Sequence, residues 1–354
     1  MRHYSLAVCI FTFVSFSFVR AQTPTEFKGH DGAVHSVAIS DDGTLLATAS
    51  VDDTARIWNY ANGKTIHILK GHNGPVRTVA LSKGAEYIAT GGSDATIRLW
   101  NPKTGKALKE FAEAHKGGVT CVTFSPDGQT FASTGADMSV KLWNINGEIK
   151  NLGAHKATGY NVAFNHDGSM LASCGNDGVI KVWDVKAKSE FKSMQVELPK
   201  PEVKEEPKEE PKKDDKDKKK KDMGKKEGPK EDRKAFHAVV FTPDSKQVIS
   251  AGSDGFIRFW DLESGKESKH IGPAKHWLMG LAVSKDGKMF AAAGYGGTLR
   301  VYDMESGNML FNLDRDYWVT FAVAFAPDGT ALITAHDKGF KAGANVARIT
   351  PLAK

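Results

Sequence analysis

Apolar and polar residues alternate in short runs along this chain, and the runs come in a fixed order. Val34, Val37 and Ile39 mark the first, which ends at Ser40-Asp41-Asp42-Gly43. A second run, Leu45 to Ser50, is rich in small residues. A third closes Arg56-Ile57-Trp58-Asn59, and Asn62-Gly63 then leads into a fourth. Short runs with period two, broken by Gly, Asp, Asn and Pro, predict β-strands joined by tight turns. Asn-Gly between two such runs is a hairpin signal, because both central residues of that turn need positive φ.

The four-run unit repeats. Trp58, Trp100, Trp143, Trp183, Trp260 and Tyr302 end six copies, spaced about 40 residues apart except for one step nearly twice as long. Each of the first copies opens Gly-His or Ala-His. The first turn has its fullest form in Ser125-Pro126-Asp127-Gly128, with Asn165-His166-Asp167-Gly168 and Ala326-Pro327-Asp328-Gly329 as variants. Second runs such as Phe131-Ala132-Ser133-Thr134 carry small side chains that let neighbouring units pack closely. A seventh copy is degenerate: Val319 to Phe325, Ala331 to Ala335, and Asn345 to Ile349 without a Trp. It is one strand short, and Thr25-Glu26-Phe27-Lys28 is a strand without a unit. Pairing the two closes a ring and removes its exposed edges. The expected fold is all-β: a seven-bladed β-propeller of four-stranded antiparallel blades, closed by the N-terminal strand completing the last blade.

Composition changes this picture in two places. Residues 197–234, where the long step falls, run Glu-Leu-Pro-Lys-Pro-Glu-Val-Lys-Glu-Glu-Pro and on through Lys218-Lys219-Lys220-Lys221. Dense opposite charges with repeated Pro cannot bury enough surface to order the segment, so a disordered insertion between blades 4 and 5 is expected. Residues 1–21 place Arg2 before an apolar run that ends at Val19-Arg20-Ala21, too short for a comfortable membrane span. They read as a cleaved secretory signal, and the chain as a secreted or periplasmic protein of bacterial type, with no stable membrane insertion after cleavage. The domains are then 1–21 signal, 22–196 closing strand and blades 1–4, 197–234 insertion, and 235–354 blades 5–7. Net charge is +6. The signal and the insertion hold most of that excess, so the propeller lacks the basic surplus that phosphate-backbone binding needs, and nucleic acid is not an expected partner.

These motifs resemble the WD-repeat β-propeller family over about residues 24–350, the insertion apart. In that family the residues equivalent to His30, Ser50, Asp52 and Trp58 form a structural hydrogen-bond chain running Asp to His to Ser to Trp. His72, Asp94 and Trp100 keep three of the four, as do His115, Asp137 and Trp143, and His155, Asp177 and Trp183; Gly stands in place of Ser. Blade 5 keeps Asp254 and Trp260 without the His, and blade 6 has Gly296 and Tyr302. The set imitates a hydrolase triad, but a feature repeated around a ring is structural. Gly63-Lys64-Thr65 lacks the upstream glycine of a phosphate loop. Gly91-Gly92-Ser93-Asp94-Ala95 joins two strands and so is no nucleophile elbow. The Cys and His spacings match no zinc or haem site, and no metal or cofactor is expected. Cys121 and Cys174 read as free buried thiols.

What remains is a surface. In the family, partners commonly bind the face whose loops lead into the inner strands, here termed the upper face. The residues five and seven places before the first-turn Ser are exposed there. The resemblance implies His35, Arg77, Thr120, Tyr160, His237, Met279 and Phe321 at the first position, with Trp277 at the second and Tyr295 before the second turn of blade 6. Trp277, Met279, Tyr295, Phe321 and Trp318 would gather on blades 6 and 7, either as a partner surface or as core between those blades. Aromatics and Met are enriched at interface centres. The functional expectation is a monomeric, non-enzymatic scaffold that binds a protein. Alternatives are a small-ligand or glycan-binding propeller, with Trp277 and Tyr295 stacking on sugar rings, or an enzyme using the central channel. An enzyme would need inward carboxylates, and only His35, Arg77, Tyr160 and His237 point that way.

N-terminal sequencing of exported protein is expected to begin at Gln22. Recovery of an intact Met1 in the membrane fraction would favour an uncleaved anchor.

Overall fold

The structure, a computed structural model, describes residues 25–147, 149–196, 235–313, 319–337 and 345–352. The expected signal, the insertion at 197–234 and Trp318 lie outside the described residues. Seven four-stranded antiparallel sheets form seven blades. Blade 1 runs from inner to outer strand as Val34–Ile39, Leu45–Ser50, Thr54–Asn59 and Thr65–Lys70. Blade 2 follows with Val76–Leu81, Ile88–Gly92, Ile97–Trp100 and Ala107–Phe111. The long step in the repeat separates Ser189–Gln195, the outer strand of blade 4, from Phe236–Phe241, the inner strand of blade 5.

Local chemistry explains the turns. Ser125 Oγ donates to Asp127 Oδ1 (2.5 Å), which also accepts from the Gln129 N–H (2.9 Å), while Gly128 sits at φ 75°. The same carboxylate clamp recurs at Asp42, Asp244 and Asp286. These hydrogen bonds hold all four carboxyls below their ordinary range. The second strands are almost wholly buried, and their small residues are a packing requirement. A Cβ on Gly91 of blade 2 would lie 2.5 Å from Val119 Cγ1 of blade 3. Ala47, Ala49 and Ile57 of blade 1 pack directly on Val76 and Val79 of blade 2, so the core is a succession of contacts between blades.

The ring closes as the sequence pattern implied. Glu26, Phe27 and Lys28 pair antiparallel with Arg348, Ala347 and Val346, making the first strand the outer strand of blade 7. Phe27 is fully buried, its ring edge-on to Trp58 at 5.8 Å, and Glu26 is ion-paired with Arg348.

The polar chain within each blade differs from expectation in one member. In blade 1 the hydroxyl between His and Trp is that of Thr48, not Ser50. His30 Nε2 lies 2.7 Å from Thr48 Oγ1, and Trp58 Nε1 donates to the same oxygen at 2.9 Å. Ser50 Oγ donates to the Gly32 carbonyl and accepts from the Asp52 N–H. The reason is register. Leu46 pairs with Trp58, so Thr48 reaches the indole from the adjacent rung while Ser50 is a further turn of the pleat away. Blades 2, 3 and 4 are therefore complete too, through Thr90, Ser133 and Ser173. Glycine at the Ser50 position makes room: a Cβ on Gly92 would lie 2.4 Å from Asp94 Oδ1 and 2.5 Å from His72 Nδ1.

The indole N–H donates to the hydroxyl and the carboxylate can only accept from Nδ1–H, so in the neutral imidazole Nε2 accepts the hydroxyl's proton. Nδ1–H then donates to the carboxylate, at 2.7 Å from His30 to Asp52 and from His115 to Asp137, 3.0 Å from His72 to Asp94 and 3.1 Å from His155 to Asp177. Burial lowers His72 and His115, which favours the neutral imidazole in blades 2 and 3. Burial opposes the charge on Asp52, Asp94, Asp137 and Asp177, but the bonds from the histidines and neighbouring groups outweigh it, and all four carboxyls lie low. The hydroxyls are fully buried and both their bonds are committed, so none can attack a substrate. In blade 5 Trp260 donates to Ser250, and Asp254 takes Arg258 in place of a histidine at 2.6 Å. In blade 6 the hydroxyl is replaced by Ala292 and the Trp by Tyr302, which stacks on Phe290.

Thr90→Val is expected to destabilise the fold by about 1–3 kcal/mol, because it strands the Trp100 N–H and His72 Nε2 in the core. Ser50→Gly, which copies the other blades, is expected to cost about 1 kcal/mol or less. Urea unfolding of the two variants decides between Thr48-type and Ser50-type chains; equal losses would refute the assignment.

Candidate functional site

The inner strands each carry a register shift at the same place. The shifts fall between Val34 and Ser36, Val76 and Thr78, Val119 and Cys121, Gly159 and Asn161, Phe236 and Ala238, Leu278 and Gly280, and Thr320 and Ala322. The skipped residues are His35, Arg77, Thr120, Tyr160, His237, Met279 and Phe321. A bulged residue leaves the sheet ladder and its side chain is re-aimed. All seven line one cavity of about 400 Å³, together with Trp277. Seven residues scattered over 287 positions of sequence thus meet because each blade repeats the same defect. The cavity also takes Thr78, Cys121 and Asn161, which sequence reasoning did not single out. Their signal is the alternation of the inner strand after the bulge.

The aromatic side chains divide into two groups. Tyr160, His237, Trp277 and Tyr295 form a continuous arc across blades 4, 5 and 6, with ring centroids 4.9, 5.9 and 5.6 Å apart in turn. Phe321 lies instead against His35 of blade 1, at 4.3 Å. The expected cluster on blades 6 and 7 is therefore redistributed: Met279 lies in the cavity between an arc on one side and a Phe–His pair on the other. Trp277 is 51% exposed and Tyr295 37%, so neither fills core between blades. The arc was not legible because it depends on the angle between adjacent blades.

Among the described residues lining the cavity Arg77 is the charged one, and its Nε–H donates to Ser93 Oγ at 2.7 Å. Burial, with the Arg77 cation adding to it and Asp337 opposing, lowers His35 to about 4. Burial alone lowers His237 to about 4, and its Nε2 is buried with no hydrogen-bond partner. At neutral pH the mouth holds one cation, two neutral imidazoles and an aromatic wall. Among the described residues, no carboxylate lines it. Cys121 is a free buried thiol, pushed up to about 11 by burial, and Cys174 is likewise free and buried. Among the described residues, no three His, Cys, Asp or Glu side chains come together as a metal site.

The depressed histidines make stability pH-dependent. Unfolded, each titrates near 6.5; folded, His35 and His237 resist protonation down to about 4. Their contribution is complete above about pH 6.5 and is lost as pH falls toward 4, because the unfolded chain takes up protons first. Melting temperature should fall over that window, and less steeply in a His35→Phe/His237→Phe variant. Identical slopes for the variant and the parent would show that these two groups do not carry the effect.

Comparison with known proteins agrees with this architecture. The family model described as WD domain, G-beta repeat matches residues 21–59, 63–101, 105–144, 147–184, 230–261 and 267–303, more than half of the chain. Short stretches of the chain are similar to stretches of curated proteins. One is 50% identical over 44 residues to ribosome biogenesis protein erb1 of Botryotinia fuckeliana (strain B05.10), covering 12% of this chain and 6% of that protein. Another is 62% identical over 34 residues to THO complex subunit 3 of Arabidopsis thaliana, covering 10% of this chain and 11% of that one. A third is 44% identical over 41 residues to eukaryotic translation initiation factor 3 subunit I of Phaeosphaeria nodorum (strain SN15 / ATCC MYA-4574 / FGSC 10173), covering 12% of each chain. The matched stretches thus span a small fraction of each relative. Six matched repeats and seven four-stranded blades place the chain in the WD-repeat β-propeller family.

Proposed function

We propose that this chain is a protein-interaction scaffold without catalytic activity, and that a partner inserts side chains into the upper mouth of its channel. The observation that carries this reading is the convergence of all seven bulged residues on one cavity, beside a half-exposed Trp277 that continues the aromatic arc. Exposed aromatics backed by other rings offer a large apolar contact already held in place, the character of interface anchors. Two of the matched relatives are named as subunits of assemblies, which accords with a binding role. Among the described residues the cavity offers Arg77 and neutral histidines, a lining suited to contact rather than to a paired acid and base. The localisation proposed with it is outside the cytoplasm, on the strength of residues 1–21, and the protein is proposed to act as a monomer.

A second reading is favoured by one feature. Trp277 and Tyr295 are both exposed and lie edge to face, 5.6 Å between centroids, a geometry on which a sugar ring could stack. Affinity capture from the cell-envelope fraction with the mature protein, followed by mass spectrometry, separates a protein partner from a glycan. Trp277→Ala is then expected to weaken the recovered partner by about 2 kcal/mol, roughly thirtyfold, with the melting temperature unchanged. Phe321 is a poorer probe, because its truncation also releases His35. A Trp277→Ala protein that melts normally and binds as tightly as its parent would move the interface elsewhere.

A further inference from the structure

The third strand of every blade carries a cation on its rim, and in six blades that cation has a polar partner. Arg98 meets Glu110 at 2.8 Å in blade 2, Lys141 meets Asp137 at 3.3 Å in blade 3, and Lys181 meets Glu190 at 2.5 Å in blade 4. Arg258 takes Asp254 and Glu267 in blade 5, Arg300 bonds Asn312 in blade 6, and Arg348 takes Glu26 in blade 7. Arg56 in blade 1 is different. Among the described residues its guanidinium makes no hydrogen bond or ion pair, and its Cζ lies 5.7 Å from the Trp58 ring; a buried Nε without a partner it shares with Arg98 and Arg348, whose Nη2 atoms are ion-paired. The register gives the reason. Glu110 stands opposite Arg98, whereas Ile68 stands opposite Arg56.

Ile68 is 43% exposed and Ile66, two residues away on the same sheet face, 40%. An apolar residue at the Ile66 position recurs as Leu108 and Leu310 and is not distinctive. Ile68 is distinctive, because its counterparts opposite the cation are all polar: Glu110, Asn151, Ser193, His270, Asn312 and Glu26. Both isoleucines lie on Thr65–Lys70, the outermost strand of its sheet, which pairs on one side only. Exposed strand edges are usually blunted by charge, and they accept an added strand when they are not.

We propose that the outer strand of blade 1 is a docking edge for an extended segment of a partner protein that carries apolar and acidic residues together on one face, at every second position. The apolar residues would cover Ile66 and Ile68, and a carboxylate would supply Arg56 with the partner its counterparts have within the fold. A second copy of this chain does not fit. Thr65-Ile66-His67-Ile68-Leu69-Lys70 holds no acid, and pairing it with itself leaves both Arg56 side chains unmatched. This edge is separate from the channel mouth and does not rest on the reading of that site.

The test uses the mature protein and a fluorescein-labelled peptide of about ten residues in which valine and glutamate take turns along one face with threonine between them, long enough to lie along one strand. Anisotropy should report binding, and hydrogen exchange of the Thr65–Lys70 amides should slow. A valine–lysine peptide should do neither. Ile68→Glu builds the blade 2 pair in blade 1, so it should melt at or above the parent temperature yet bind the valine–glutamate peptide at least about tenfold more weakly. Arg56→Met keeps the stem over Trp58 and should lose binding in the same way. Unslowed exchange at Thr65–Lys70, or undiminished binding to well-folded Ile68→Glu, would overturn the proposal. Protection of that strand by raised protein concentration alone, without peptide, would also overturn it by naming a second copy as the occupant.

Discussion

A tryptophan N–H buried inside a sheet must find an acceptor, and in this protein that need organises each complete blade. The acceptor is a hydroxyl one rung away on the second strand. The aspartate can only accept and takes Nδ1–H, which leaves Nε2 of the neutral imidazole to accept the proton of the hydroxyl that the indole donates to. The aspartate also accepts from backbone N–H groups, as Asp52 does from Asp31 and Thr54, so the turn before the third strand and the loop leading into the next inner strand are held by one carboxylate. Remove the indole and the demand on the other members disappears with it. Blade 6 follows that logic: Tyr302, Ala292 and Gly296 replace Trp, hydroxyl and Asp together, and apolar packing takes over. Replacing both ends of a buried hydrogen bond is nearly neutral, whereas replacing one end is not.

Blades 5 and 7 keep parts of the chain by substitution of chemistry. Arg258, itself buried, reaches Asp254 from the third strand and so does from one side what histidine does from the other. In blade 7 Thr334 bonds His336 two residues along the same strand, and Thr320 bonds the other ring nitrogen. Blade 7 holds the seam that the first strand closes. The closing strand gives blade 7 its fourth strand, while Phe27 and Trp58 join it to blade 1 through an edge-on ring contact. Closure through side chains of two blades at once relieves blade 7 of the need for its own Trp.

The sequence made the ring legible because the period, the turn residues and the unpaired first strand all bear on backbone pairing, which depends on local pattern. The hydroxyl was misplaced because Thr48 and Ser50 have the same parity and only the rung opposite Trp58 separates them. A comparison down the repeats would have found it: Thr48, Thr90, Ser133, Ser173 and Ser250 are hydroxyls, while the Ser50 position is otherwise glycine. The seven cavity residues could be located by their distance from the first turn, although the cause, a bulge in every inner strand, is a pairing irregularity that a two-residue period does not reveal. The aromatic arc and the lone Arg56 depended on which side chains face one another across blades and strands. Neither can be read from one repeat alone.

The bulge also divides the positions by duty. A residue in the regular ladder of an inner strand must pack against the neighbouring blade, as Val34, Val76 and Val119 do in full burial. The bulged residue beside each escapes that duty, and the seven differ as widely as Arg77, Thr120, Trp277's neighbour Met279 and Phe321. Where the fold needs a given residue, the blades agree; where it does not, they diverge. The same contrast marks Arg56: the fold supplies a polar partner to that cation in six blades and leaves it out in one. Ile68→Glu separates a defect from a device here, since a mere defect would be repaired by the substitution with nothing lost. If the missing acid belongs to a partner, the repair must cost binding while the fold gains an ion pair, and those two changes have opposite signs in the two measurements.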